Sequence, residues 1–335
     1  MNLLQRLVVI GVTLAAPALA LAGDKANWIA DYDKAVETAK AQKKDLFVDF
    51  TGSDWCIWCK RLDAEVFSKQ EFLDAVQKDY VLVSLDFPND EAIKAKVPNP
   101  ARNDELSKKY EIQGFPTVLL MTVDGEVFAK TGYQAGGPVK YVESLATMRE
   151  TGRKAMTECK EIVAKFGAAL GEEKNILLDR ALRTLEGLTA DSPFASQLSP
   201  VVRTAFTSDA DNKQGRKARA VKALLKAGEY DAELDKLAHE LDPKNEQGMI
   251  EHAVSAKLDQ LKSEADVKAI VAEIGELDKL GIKDAATKER LYASVAFFNF
   301  QYLDDKEAAK TWAEKLKAIA GDTDEFKQLF EMILG

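Results

Sequence analysis

Three cysteines and two histidines in 335 residues leave little material for metal chemistry. Four-coordinate zinc held by a Cys-x-x-Cys pair needs a second pair of ligands. Beyond Cys56 and Cys59 the chain offers only Cys159, His239 and His252. A c-type haem fails as well, because Lys60 follows Cys59 where attachment requires His. Neither histidine sits near a recognisable Ser or Asp constellation, so hydrolase chemistry has no support, and the second half has no phosphate loop. No metal and no cofactor are expected. Basic charge is also short, with 46 Lys and Arg against 55 Asp and Glu and a formal net charge of −9. That balance disfavours nucleic acid and anionic lipid. The one basic stretch, Lys213, Arg216, Lys217, Arg219 and Lys222, reads as the solvated face of a helix. The apolar run from Leu7 to Leu21 is short for a membrane span and contains Pro17. Arg6 precedes it, and small-x-small patterns end it at Ala20 and Ala22. Residues 1–22 are therefore expected to be a cleaved signal peptide, leaving no integral membrane span and a periplasmic or otherwise exported chain.

What the chain does have is a dithiol. Leu46 to Phe50 is apolar and strand-like except for Asp49, and Asp54-Trp55-Cys56-Ile57-Trp58-Cys59-Lys60 opens a helical pattern. A thiol attacks as its thiolate, and the free N–H groups at a helix start stabilise negative charge there. Cys56 at that end is the expected nucleophile. Cys59, one turn further in, is placed to resolve a mixed disulfide by intramolecular exchange. Export to an oxidising compartment suits such a role. Cys159 lies on an apolar stripe with Met156 and Val163 and reads as a buried, inert thiol.

Around the dithiol, Trp28, Tyr32, Val36 and Ala39 recur at helical spacing. Strand signals follow at Asp45 to Phe50, Tyr80 to Asp86 and Ile112 to Met121, and the turn Val123-Asp124-Gly125-Glu126 leads into Val127 to Lys130 as a hairpin. Strands alternating with helices and closed by a hairpin imply a mixed sheet with helices on its faces. The connection Phe87 to Asn103 is a Pro- and Asn-rich loop followed by a helix near Glu105.

Val48-Asp49-Phe50, Trp55-Cys56-x-x-Cys59-Lys60, Gly114-Phe115-Pro116-Thr117 and Asp124-Gly125-Glu126 occur in a linked order that resembles the thioredoxin superfamily, in particular its exported disulfide-reductase members. The resemblance covers residues 24–150. It implies that Pro116 is cis and lies against the dithiol, leaving backbone free to pair with an extended substrate, a conformation uncommon enough to be kept for a purpose. It implies that Asp49 is the buried acid beneath Cys59, taking its proton as the mixed disulfide resolves. One more residue separates Asp49 from Cys56 than in ordinary thioredoxins, and Phe87 to Asn103 is a longer connection than theirs. Trp55, Trp58 and Phe115 are the expected substrate-contacting residues. For Trp58, packing on the following helix is an equal reading.

From residue 151 to 335 strand signals vanish and apolar residues keep helical spacing, as in Val267, Ile270, Ile274 and Leu277. An all-α domain of roughly six to eight helices in antiparallel pairs is expected. Ala227 to Asn245 weakly resembles a worn tetratricopeptide repeat, about two residues short in spacing. Phe297, Phe298, Phe300 and Tyr302 read as core and near-core packing. The leading functional expectation is an exported thiol-disulfide oxidoreductase that reduces or isomerises protein disulfides, with a separate protein as electron donor or acceptor and the helical part positioning it on clients or partners. The alternative is a non-enzymatic scaffold whose thioredoxin-like part is structural.

Overall fold

The computed structural model describes residues 27–188, 192–321, 323 and 326–335. The expected signal peptide lies outside the described residues. Two compact units emerge: the described residues up to 117 together with 132–144, and residues 118–131 together with those from 145 onward.

In the first unit, β1 (Trp28–Ile29) precedes α1 (Tyr32–Gln42), β2 (Asp45–Thr51), α2 (Ile57–Leu62), a single π-helical turn over Asp63–Phe67, α3 (Gln70–Val76) and β3 (Tyr80–Asp86). Next come α4 (Glu91–Lys94) and α5 (Pro100–Lys109). Helix α1 starts later than the apolar spacing suggested. Asp31 caps it by accepting the Lys34 N–H at 3.1 Å, and Trp28 instead pairs in β1 with Leu82 of β3. Its indole packs on Phe47, Phe67 and Phe72. β2 runs parallel to β3 in the register Asp45 opposite Tyr80 through Thr51 opposite Asp86. All seven residues of β2 are buried, the pattern of a strand covered on both faces. The expected loop at Phe87 to Asn103 holds α4 and the start of α5.

Continuing the chain, β4 (Thr117–Met121) and β5 (Val127–Thr131) form the expected antiparallel hairpin, with an irregularity at Leu120/Met121. The five strands are ordered β1-β3-β2-β4-β5, a mixed sheet. Helix α6 (Gly137–Phe166) then runs unbroken through residue 150.

Ten helices follow among the described residues, more than the apolar stripes suggested: α7 (Gly171–Glu186), α8 (Ala195–Arg203), α9 (Ala205–Ser208), α10 (Arg216–Lys226), α11 (Ala232–Leu241), α12 (Met249–Leu258), α13 (Glu264–Leu280), α14 (Ala285–Gln301), α15 (Lys306–Ala320) and α16 (Lys327–Leu334). Asp231, Ser263, Asp284 and Asp305 each accept a backbone N–H at a helix start, and such caps divide stretches that periodicity alone runs together. Ile250, Val254, Ile270, Ile274, Leu291 and Val295 anchor a core among the later helices. Among the described residues, no helix is long and apolar enough to cross a membrane.

Three expectations for this part meet the structure directly. Cys159 is fully buried, and burial pushes its thiol pKa up. The basic stretch is not a plain solvated face, because Arg216 binds Asp179 through two bonds of 2.9 and 2.8 Å and Arg219 binds Glu186 at 2.7 and 2.8 Å. Phe298 packs against the core, whereas Tyr302, in ring contact with Phe297 and Phe298, is 54% exposed at the C-cap of α14.

Candidate active site

Cys56 is the N-cap of α2. Its extended backbone (φ −78°, ψ 109°) ends the turn from Gly52, whose carbonyl accepts the Cys56 N–H at 2.9 Å. The Cys56 sulfur accepts the Cys59 N–H at 3.1 Å, so a helix-start donor is aimed at the atom that would carry thiolate charge. Cys56 and Cys59 form a disulfide with sulfurs 2.19 Å apart and Cα atoms 5.3 Å apart. Both are nearly covered, at 5% and 4% exposure. Ile57 beside them is 65% exposed, so the dithiol lies at an apolar surface.

On one side stands Trp55, 45% exposed, donating its indole N–H to the Phe87 carbonyl at 2.9 Å. Its ring meets Phe115 edge-on at 5.6 Å, Phe115 meets Phe87 at 5.3 Å, and Phe87 stacks on Phe50. Gly52 is required beneath it: a Cβ there would come within 2.5 Å of the indole. The Phe115–Pro116 peptide is cis, as the sequence resemblance implied. The chain returns so close at Gly132 that a Cβ there would lie 2.9 Å from the Pro116 carbonyl oxygen.

Across the dithiol, Trp58 is half-buried against Tyr133 at 5.1 Å, and the Arg61 guanidinium lies over both rings. Glu65 ties this group together, accepting from Arg61 at 2.6 Å and from the Tyr133 hydroxyl at 2.7 Å. Those two donors hold the Glu65 carboxyl below the usual carboxylate range. Tyr133 and Arg61 thus hold one side of the Trp58 ring. The Arg61/Glu65 pair was legible as an i, i+4 spacing. Tyr133 was not, since only the fold brings it to the helix.

Asp49 is 2% exposed within β2, opposite Ser84 of β3. A cavity of about 380 Å³ opens beside Cys59, lined also by Lys60, Asp63, Asp86 and Lys96. In the helical part, Asp235, His239 and Glu273 place metal-type ligand atoms within 4.8 Å of one another. Glu273 there already receives the Lys257 ammonium at 2.7 Å, which supplies the balancing positive charge.

A family model described as a thioredoxin-like domain matches residues 32–140. The disulfide bond reductase DsbH of Chlamydia pneumoniae is 32% identical over 116 residues, spanning 34% of this chain and 68% of that protein. The thioredoxin-related protein DsbJ of the same organism is 29% identical over 127 residues, 36% of this chain and 35% of DsbJ. The thiol:disulfide interchange protein DsbD of Pseudomonas fluorescens is 31% identical over 96 residues, 29% of this chain and only 15% of DsbD. A solved DsbH oxidoreductase structure aligns at a TM-score of 0.32 with 27% identity, covering 42% of this chain and 94% of that one.

Proposed function

The chain belongs to the thioredoxin-like family that includes the disulfide reductases, and from that premise we propose that it is an exported thiol-disulfide oxidoreductase that reduces protein disulfides through Cys56 and Cys59. The observation that carries this reading is the pair itself, with the first sulfur at the N-cap of α2 and the second within disulfide distance of it. In the reduced enzyme the Cys56 thiolate attacks one sulfur of a client disulfide. A Cys56–client disulfide forms and the other client sulfur leaves as a thiolate. The Cys59 sulfur, once deprotonated, attacks Cys56, closing the Cys56–Cys59 bond and releasing the second client thiolate. The client gains two electrons, and a donor dithiol protein restores the enzyme. Asp49 takes the Cys59 proton in this scheme, Pro116 presents backbone to an extended client, and Trp55, Trp58 and Phe115 form the apolar contact surface.

We place the functional division as residues 24–150 for the redox domain and 151–335 for a helical domain that selects partners. That helical part has one buried cysteine and carries no role in the exchange chemistry. Because α6 runs to Phe166 without a break, a shortened chain ending there tests the division better than one ending at 150. It should keep activity on a small disulfide and lose efficiency on a natural client. A folded truncation without small-disulfide activity would make the helical part a builder of the site.

The test of the function itself is insulin reduction with Cys56→Ser and Cys59→Ser beside the wild type. Both variants should lose catalysis with their fold intact, and Cys59→Ser should trap clients as mixed disulfides. Undiminished turnover in either variant would leave the scaffold reading standing.

A further inference from the structure

The longer connection after β3 has no part in the scheme above, yet the redox turn is fastened to it. The Asp54 carboxylate accepts the Asn89 N–H at 2.9 and 3.1 Å and the Asp90 N–H at 2.7 Å. Desolvation opposes ionisation at Asp54, but these backbone donors together with its own N–H and the Lys60 charge hold the carboxyl below the usual range. The Asp54 carbonyl oxygen accepts the Lys60 ammonium at 2.5 Å, tying the same residue back to α2. One residue earlier, Ser53 donates its N–H and its hydroxyl to Asp86, at 2.9 and 2.6 Å. One residue later, Trp55 donates to Phe87.

These contacts form a sequence of causes. Asp54 fixes the N–H of Asp90, and the Asp90 side chain in turn accepts the Ala92 and Ile93 N–H groups at 2.8 and 3.1 Å to start α4. Ile93, together with Lys96, Val97 and Pro98 beyond it, walls the cavity that Cys59 lines. The same seating presents the Phe87 carbonyl to Trp55, whose indole sits over Gly52, the residue that accepts the Cys56 N–H.

We propose that Asp54 is a positioning residue for the dithiol. It acts by seating the 87–98 segment, which holds the Trp55 side of the redox turn and encloses the cavity at Cys59. This rests on the exchange reaction proposed above, and Asp54 itself takes no part in that chemistry. The task needs an acceptor oxygen at this place rather than a charge, since one carboxylate oxygen takes both the Asn89 and the Asp90 N–H.

The experiment compares Asp54→Asn with Asp54→Ala in the full chain. Three readouts are followed: amide hydrogen exchange at Asn89 and Asp90, Cys56 thiolate formation by ultraviolet absorbance, and reduction of insulin and of a small disulfide. Asparagine removes the charge but keeps one acceptor oxygen, so it should stay within about twofold of wild type in turnover, with the two amides still protected. Alanine removes the acceptor. It should expose both amides, shift the Cys56 titration and cost on the order of tenfold in kcat/KM on insulin, in line with the cost of small displacements at a reacting centre. Equal loss in both variants would make Asp54 an electrostatic group and overturn the positioning role, as would unchanged amide exchange in Asp54→Ala. Should Asp54→Ala fail to fold, Asp54→Ser, which keeps a polar side chain without the carboxylate's reach to both amides, must show the alanine pattern at smaller scale, about threefold. No change there would also overturn the proposal. If the wild type reduces no disulfide, the exchange reading falls while amide exchange still decides the anchor.

Discussion

Around the redox turn, backbone N–H groups are held by carboxylates near the surface, whereas at two loops of the helical part, around Asp242 and Glu251, the carboxylate that does this is buried. Asp54 and Asp86 are half-buried and receive the Asn89, Asp90 and Ser53 donors in exposed bonds. Glu251 is 1% exposed and accepts the Lys283 N–H at 2.7 Å, the Asp284 N–H at 2.8 Å and the Asn245 amide at 2.7 Å. Asp242 likewise sits buried under the Gln247 and Met249 N–H groups, each at 3.0 Å. A bond that water can replace contributes about 1 kcal/mol, while a buried acceptor that loses its donors, or a donor that loses its acceptor, costs several times that. The loops at Asp242 and Glu251 are therefore costlier to unfasten, bond for bond, than the turn beside the dithiol.

The sharpest test within the redox part is Asp49→Asn. It removes a base and keeps the shape, so resolution of the mixed disulfide at neutral pH should slow by about a hundredfold while its formation changes little. Stopped-flow mixing with a trapped client separates the two steps. Equal slowing of both would remove Asp49 from the proton transfer.

In the helical part, Glu251→Ala should cost about 3 kcal/mol, because it leaves the buried Asn245 amide and two partly buried backbone donors without this acceptor. Urea unfolding measures this. A loss below about 0.5 kcal/mol would erase the contrast between buried and exposed anchors.

A smaller effect is expected for Arg216→Met, about 1 kcal/mol, since Asp179 is only partly covered and solvent screens the pair. Chemical denaturation should show that loss without a change in the dithiol's potential.

The smallest effect is a dependence on acid. Hydrogen bonds from Arg180 and Lys165 lower the Glu161 carboxyl to about 2, and Arg216 holds Asp179 below its ordinary value. A carboxylate depressed in the folded state contributes stability that is fully present above its unfolded value, roughly 4, and is lost as pH falls through the folded value. The melting-temperature advantage of wild type over Arg180→Met should thus be constant near neutrality and shrink between about pH 4 and pH 2. An advantage that grows in acid would refute the assignment.

Much of this was local and therefore legible. The Cys-x-x-Cys spacing, the β3 bounds Tyr80–Asp86 and the hairpin after Val123 depend on neighbours in the chain, and the amino-acid sequence by itself determined them. The cis bond before Pro116 came only through the resemblance to a family, because a lone proline does not report its isomer. Tertiary structure alone decided the rest. Trp28 has the spacing of a helix, but parallel pairing with Leu82 and an aromatic pocket favour a strand. Arg216 and Arg219 read as solvated until Asp179 and Glu186 of another helix were brought opposite them. Asp54 lies 35 and 36 residues from the amides it holds, and Tyr133 lies 68 from Glu65. Hydrogen bonds and ring contacts act over a few ångströms of space, and a distance of that size between such separated residues exists only once the chain has folded.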